Sequence, residues 1–183
     1  LEQLLSIARK LQFRVPHEGA THIHFDATSM QSAHAIANLV NLFTAYGDML
    51  KVLFGCNPNC RRLGNWPDEL IELVNSSGFR QLSWTQAQVQ LKALKLTKYC
   101  DLNLVNCIHG YFDKNTIEVR ILPVWLETTP ILQAASLFVA IFKLAQKPDP
   151  IPRIPGTAMS PESIKAFSKM LSLADRQVDN PKL

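Results

Sequence analysis

Two short polar patterns in this chain could carry chemistry, and each has the alternation of a β-strand. In the first, residues 116–122 (TIEVRIL), Glu118 and Arg120 stand two positions apart in a run rich in β-branched residues. Alternate side chains of a strand share a face, so the carboxylate and the guanidinium would lie side by side while the apolar side chains face the other way. The pair is either an ion pair on a sheet surface or one wall of a site.

The second pattern lies far upstream, in residues 21–26 (THIHFD), where His22, His24 and Asp26 alternate with other side chains. On a strand the two imidazoles share a face, where they could hold a divalent metal ion or a phosphate, or be hydrogen-bonded core residues. Two strands that each have one apolar and one polar face are what an active site on the floor of a sheet requires.

Composition narrows the class of protein. The chain has 183 residues and is 47% hydrophobic, so it can bury one sizeable core and one domain is expected. Its formal charge is +4, with basic residues scattered apart from the pair Arg61-Arg62. This gives weak support to an anionic ligand such as a nucleotide and poor support to a nucleic-acid surface. With no apolar run of membrane-spanning length and no signal peptide in view, we expect no membrane segment and a cytoplasmic protein.

The four cysteines are expected to be free, partly buried thiols. Cys56 and Cys60 are separated by three residues and lack a matching second pair, so a zinc site is disfavoured. Two disulfides involving Cys100 and Cys107 are possible by number, but a chain that can build a core of this size does not need them.

Periodicity and turn-forming residues indicate a chain of mixed helices and strands. Helices are expected at 1–12, from a cap within 26–29 to about 54, and at 67–76, 84–96, 131–146 and 160–174, and strands at 21–26, 98–106 and 116–122. Residues 55–67 have the composition of a loop, and the prolines between 148 and 155 indicate an extended connector. The last two strands would pair as an antiparallel hairpin. The expected fold class is α+β, an antiparallel sheet covered by helices, with the 131–146 helix well buried.

Taken in order, these patterns resemble a known family. Residues 20–26 (ATHIHFD), a long helix, residues 99–104 (YCDLNL), residues 115–120 (NTIEVR) and a following apolar helix look like the amidoligase family, relatives of glutamine synthetase among the carboxylate–amine ligases. The resemblance covers about residues 18–145. It implies a catalytic domain of glutamine synthetase-like fold over residues 1–147, with residues 148–183 as a connector and a helix packed on the same domain.

The resemblance also implies an activity and roles for five residues. The activity is ATP-dependent joining of a carboxylate to an amine, of small molecules or peptides, through an acyl phosphate. His22 and Glu118 would coordinate a catalytic Mg²⁺ or Mn²⁺. His24 and Asn103 would line the ATP site, and Arg120 would neutralise charge on the phosphoryl group during transfer.

One element of the family's pattern is missing. The family carries a Glu-x-Glu metal-binding strand near its N-terminus, and no Glu-x-Glu occurs in these 183 residues. The sequence opens within an amphipathic helix, so we expect that strand to precede Leu1. The alternative is a binding domain that keeps the ligase fold and lacks catalysis.

A rival enzyme class is a metal-dependent hydrolase that uses His22, His24 and Asp26. This spacing resembles the metal motif of metallo-β-lactamase-like folds. That motif continues with a further histidine, whereas Ala27 follows Asp26 here, and the glycine-rich turns of those folds are missing.

Overall fold

The computed structural model describes residues 1–15, 17–61, 63–111, 113–151 and 160–176, with the side chains of the last helix described through residue 172. Helices and strands alternate irregularly along the chain. The elements are α1 (Glu2–Lys10), β1 (Thr21–Asp26), α2 (Ala33–Phe54), α3 (Asp68–Asn75), α4 (Trp84–Ala93), β2 (Leu102–Asn103), α5 (Val105–His109), β3 (Thr116–Leu122), α6 (Thr128–Ala145) and α7 (Pro161–Arg176). Short 3₁₀ turns lie at Thr28–Met30 and Phe79–Gln81. This mixture of helices and sheet agrees with the expected α+β class.

The sheet has three antiparallel strands in the order β1-β3-β2, so β3 is central. Glu118 on β3 pairs with His24 on β1 and with Asn103 on β2. Paired residues of neighbouring strands present their side chains to the same face. The register between β1 and β3 shifts between Thr21 and Ile23, beside His22, and irregularities of this kind re-aim nearby side chains. The fold thus brings both polar patterns of the sequence to one place.

The core lies between the other face of the sheet and the helices α2 and α6. Ile117, Val119 and Ile121 are almost completely buried, as their alternation along β3 indicates. Phe138 of α6 stacks on Phe43 and Phe54 of α2, with ring centroids 6.2 and 5.8 Å apart. A strand whose apolar face is fixed in this way has little freedom in register, which holds its polar face in place as well.

Helix α2 begins later than the sequence indicates. The expected cap within residues 26–29 is wrong, because Asp26 accepts a hydrogen bond from the backbone N–H of Thr28 and so stabilises the 3₁₀ turn that follows β1. Ser32 is the cap instead, and its hydroxyl accepts from the backbone N–H of Ala35. At the other end Gly55, with φ of 65°, ends the helix in the left-handed conformation.

The strand expected over residues 98–106 is mostly absent. Only Leu102–Asn103 pairs with β3, and the helix α5 follows directly. The side-chain oxygen of Asn103 accepts a hydrogen bond from the backbone N–H of Val105 at 3.0 Å. Asparagine side chains compete with strand pairing in this way, so the extended segment ends at Asn103. The antiparallel pairing of this segment with β3 is confirmed.

Helix α6 differs from expectation in its start and in its burial. It begins at Thr128, with Pro130 inside the first turn, where a missing N–H costs nothing because helix starts leave those groups unpaired. By length and composition its 18 residues could cross a membrane, contrary to the expectation that no apolar run reaches that length; core helices of soluble proteins share these properties. Phe138 and Ile141 are buried, but Leu132 is 56% exposed, so α6 is a one-faced core helix.

The C-terminal helix α7 packs on the same core. The ring of Phe167 lies 4.6 Å from that of Tyr46 on α2, and Ser160 caps the helix through the backbone N–H of Ser163, as expected from the sequence. Of the proline-rich connector, residues 152–159 lie outside the described residues. The cysteines are free, as expected: Cys100 and Cys107 are buried, and the other two are partly exposed.

Candidate functional site

Four side chains that the sequence singled out meet around the carboxylate of a fifth, Glu118, on the sheet. Oε1 of Glu118 lies 2.7 Å from Nδ1 of His22 and 3.1 Å from Nη1 of Arg120. Oε2 of Glu118 accepts a hydrogen bond from the side-chain amide of Asn103 at 2.7 Å. Nε2 of His24 is 3.9 Å from Oε1. All three strands therefore contribute to a single cluster, which we call the Glu118 cluster.

The cluster is buried at its centre and open at one side. Glu118 and Arg120 are only 7% and 5% exposed, so they are not the surface ion pair that their spacing alone also allows. The side chains of His22 and His24 on the edge strand β1 are 37% and 51% exposed. The open side of the cluster is therefore the β1 side, where a small molecule could contact the two imidazoles.

Electrostatics favour a charged Glu118 beside a neutral His22. Burial by itself would raise the pKa of Glu118, but the hydrogen bond from Asn103 and the charge of Arg120 outweigh it, so the pKa lies below its usual value. Burial and the charge of Arg120 lower the pKa of His22, and the attraction of Glu118 only partly opposes them. Near neutral pH the carboxylate of Glu118 thus lies beside the guanidinium of Arg120 and the neutral imidazole of His22.

Further contacts hold the cluster in one geometry. Asn103 donates through its Nδ2 to Glu118 while its oxygen accepts from the backbone N–H of Val105, so its amide group has a single orientation. Nδ1 of His24 lies 3.1 Å from the hydroxyl of Thr116, which also accepts from the side chain of Asn106 at 3.3 Å. Side chains that are restrained in this way are pre-organised, as a binding or catalytic site requires.

A cavity of about 340 Å³ adjoins the cluster. Its lining includes His22 and Arg120 from the sheet together with Glu18, Cys60 and Arg61. Nε of Arg120 is buried and has no hydrogen-bond partner among the described residues. The cavity is thus lined by two guanidinium groups, of Arg61 and Arg120, and by one carboxylate, of Glu18. This excess of positive charge suits an anion such as a phosphate or carboxylate group.

Arg61 lines this cavity beside the Glu118 cluster and is itself exposed to solvent. Its neighbour Arg62 lies outside the described residues.

The donors of the cluster match a metal ion only in part. His22 Nδ1 and Glu118 Oε1, the two expected ligands, are in direct contact with each other. Among the residues that the structure describes, no group of three or more His, Cys, Asp or Glu side chains is placed to hold a metal ion. Mg²⁺ commonly takes one or two carboxylates and completes its shell with waters and substrate phosphates. A cation here would need a bound nucleotide for most of its ligands.

The hydrolase alternative loses its third ligand. Asp26 accepts a hydrogen bond from the backbone N–H of Thr28 at 2.8 Å, which is a structural role in the turn. His22 and His24 contact Glu118 and Thr116 instead. The arrangement therefore favours a site built on Glu118 over one built on Asp26.

Sequence reasoning missed a second polar group behind the cluster. Nζ of Lys51 on α2 lies 3.1 Å from Oδ2 of the buried Asp101 and 2.7 Å from Asp48. The backbone oxygen of Asp101 accepts a hydrogen bond from the backbone N–H of Arg120. Asp101 stands two positions before Asn103, so strand alternation could have predicted that the two side chains share a face. No pattern in the sequence predicts that Lys51 contacts Asp101.

Comparisons of the chain with protein-family models, with curated proteins and with solved structures found no match.

Proposed function

We propose that the chain is an ATP-dependent carboxylate–amine ligase domain of the amidoligase family, with a glutamine synthetase-like fold. The observation that supports this most is the convergence of His22, His24, Asn103 and Arg120 on the carboxylate of Glu118. The first step would transfer the γ-phosphoryl group of ATP to a substrate carboxylate, giving an acyl phosphate and ADP. An amine would then attack the acyl carbon and release phosphate, leaving an amide.

In this proposal each cluster residue has a distinct task. Arg120 binds the anionic groups that enter the adjacent cavity and stabilises charge on the phosphoryl oxygens during transfer. His24, at the exposed end of the cluster, contacts the nucleotide phosphates, and Asn103 holds Glu118 in position. Glu118 and His22 would hold a Mg²⁺ or Mn²⁺ ion, which supplies charge neutralisation to the phosphates.

The electrostatics of the cluster support these tasks. A metal ligand must be an ionised carboxylate or a neutral imidazole, and the directions of the two pKa shifts leave Glu118 and His22 in those states. Arg120 is buried, so its charge acts on a bound anion with little screening by solvent. A surface pair of the same residues would attract a phosphate far less.

The proposed intermediate gives a direct test. An acyl phosphate reacts with hydroxylamine to form a hydroxamate, which ferric iron turns coloured. We expect hydroxamate to form when the protein is supplied with MgATP and pooled amino acids, and to be lost in Glu118→Gln. The exposed Glu72→Gln is the matched control, because it removes the same charge from the surface of α3. Equal hydroxamate in Glu118→Gln and Glu72→Gln would contradict the proposal.

A binding domain that keeps this fold without catalysis is the second candidate. The lack of a three-ligand metal group among the described residues favours it. Product formation distinguishes the two candidates. For the binding domain, ATP would raise the melting temperature of the protein, but neither ADP nor hydroxamate would accumulate.

A further inference from the structure

A second cavity lies behind the Glu118 cluster, between α2 and the segment that leads into α3. Its volume is about 230 Å³, and its lining includes Phe43, Asp48, Trp66, Asp68 and Asp101. A volume of this size holds several water molecules or one small organic molecule, and is too small for a nucleotide. None of the roles proposed above uses this space.

Two buried polar atoms of this lining have no hydrogen-bond partner in the part of the chain that the structure describes. Oδ1 of Asp101 and Nε1 of Trp66 make no hydrogen bond to any residue that the structure describes, although the two residues are only 5% and 8% exposed. Buried polar groups are nearly always paired, so each unpaired one needs an explanation. One of these atoms accepts and the other donates. A ligand that satisfies both must therefore carry a donor and an acceptor.

The charges around the cavity indicate which hydrogen-bond donor the ligand carries. Asp48, Asp68 and Asp101 all line it. Lys51 contacts Oδ2 of Asp101, Oδ1 of Asp48 and the side-chain oxygen of Asn65, which leaves Oδ1 of Asp101 available. An ammonium group is the donor that such an acidic cavity prefers. The rings of Trp66 and Phe43, 6.5 Å apart, add aromatic walls, which favour an organic cation.

We propose that this cavity binds a small amine of the amino-acid class, with its ammonium group on Asp101 and a carbonyl or carboxylate oxygen on the indole N–H of Trp66. That this ligand is the amine substrate of the ligase rests on the proposed function. The position fits that role, because the backbone of Asp101 is hydrogen-bonded to the backbone of Arg120. A bare metal ion is disfavoured because the described residues contain no group of three metal-binding side chains.

The indole N–H signals of the three tryptophans provide a test that needs no catalysis. We would titrate ¹⁵N-labelled protein with glycinamide, which has an ammonium group and an acceptor oxygen. The probes for comparison are ethylamine, which lacks the oxygen, acetamide, which lacks the charge, and MgCl₂. Trp66→Phe identifies the signal of Trp66 by its loss. Glycinamide is expected to shift that signal saturably, at concentrations at least about tenfold lower than acetamide or ethylamine requires.

Variants then assign the contacts. Asp101→Asn is expected to weaken glycinamide binding at least tenfold, while Asp113→Asn, an exposed acid on a distant turn, leaves it unchanged. Should Asp101→Asn fail to fold, Trp66→Phe serves instead: measured by calorimetry, it should bring glycinamide down to the affinity of ethylamine. No saturable shift with glycinamide, an equal response to acetamide or MgCl₂, or wild-type binding by both variants would overturn the proposal.

Glu118→Gln separates this inference from the proposed function. It should bind glycinamide as the wild type does, because Glu118 does not line the cavity. ADP release without glycinamide binding would overturn the cavity assignment and leave the ligase intact. Glycinamide binding in a protein that releases no ADP would support the cavity as an amine-binding site and contradict its role as the amine substrate site of a ligase.

Discussion

Asn103 donates a 2.7 Å hydrogen bond to Oε2 of Glu118 across the sheet, from a strand that is only two residues long. The same amide group closes the strand, because its oxygen accepts from the backbone N–H of Val105 where α5 begins. One side chain thus ends β2 and fixes the carboxylate at the centre of the candidate site. Local structure and site geometry are coupled at this residue.

Replacing Asn103 with leucine should therefore destabilise the protein. The change leaves Oε2 of the buried Glu118 without its donor and the N–H of Val105 without its acceptor, and each lost partner costs on the order of 1–3 kcal/mol. Urea unfolding should show a fall in the free energy of unfolding of about 2–6 kcal/mol. The control is Gln90→Ala on the exposed face of α4. Equal stability of the two variants would contradict the role of Asn103.

The stability of the protein should fall on mild acidification because of His22. Burial lowers its pKa below 6.5 in the folded state, so the unfolded chain binds the proton more tightly. The contribution of neutral His22 to folding stability is complete above pH 6.5. It is lost as the pH falls below that value and through the pKa of the folded state. Between pH 8 and pH 5, melting temperatures should therefore decline less steeply in His22→Gln than in the wild type. This interval extends about 1.5 pH units on either side of the ordinary pKa of histidine.

The control for this prediction is His17→Gln, on an exposed turn. It should follow the wild-type curve. A His22→Gln curve parallel to the wild type would show that His22 does not lose its proton on folding.

Phe138 of α6 should be one of the costliest core residues to truncate. It is completely buried and its ring packs against Phe25, Phe43, Phe54 and Phe142. Phe138→Ala should cost about 3–5 kcal/mol of unfolding free energy. On the exposed face of the same helix, Leu132→Ala should cost less than about 0.5 kcal/mol. Similar losses in the two variants would mean that α6 does not have the single buried face described above.

Arg120 should not be replaceable by lysine. Its guanidinium reaches Glu118 with Nη1 and faces the cavity, and a lysine ammonium cannot make both contacts. Under the proposed function, Arg120→Lys should reduce the rise in melting temperature caused by ATP, whereas Lys92→Arg on α4 should not. An unchanged rise in Arg120→Lys would separate Arg120 from the nucleotide site.

Much of the candidate site could be read from the sequence, because alternation in a strand determines which side chains share a face. The strands predicted at 116–122 and 21–26 have the bounds of β3 and β1, and His22, His24, Glu118 and Arg120 lie together. Alternation could not show that β3 is central, and so that its polar face is buried. The same pattern would fit an exposed edge strand.

The failures have local and long-range causes. Residues 98–106 alternate well enough for a strand, but the side chain of Asn103 bonds to the backbone and ends it. Trp66 packs against Phe43, and no pattern in the sequence shows that it also borders the second cavity, because this depends on how the segment before α3 approaches α2. The pairing of Lys51 with Asp101 joins residues 50 positions apart, and no periodicity in either segment encodes such a contact.

ADP release tests the central proposal most directly. The wild-type protein, Glu118→Gln and Glu72→Gln would be compared with MgATP or MnATP, with pooled carboxylates, with pooled amines and with both together. We expect turnover that needs both an acid and an amine and that is unchanged in Glu72→Gln. In Glu118→Gln the turnover should fall at least about a hundredfold, which is the loss seen when one group that stabilises transition-state charge is removed. Turnover that is equal in Glu118→Gln and the wild type would contradict the assignment of this cluster as the active site.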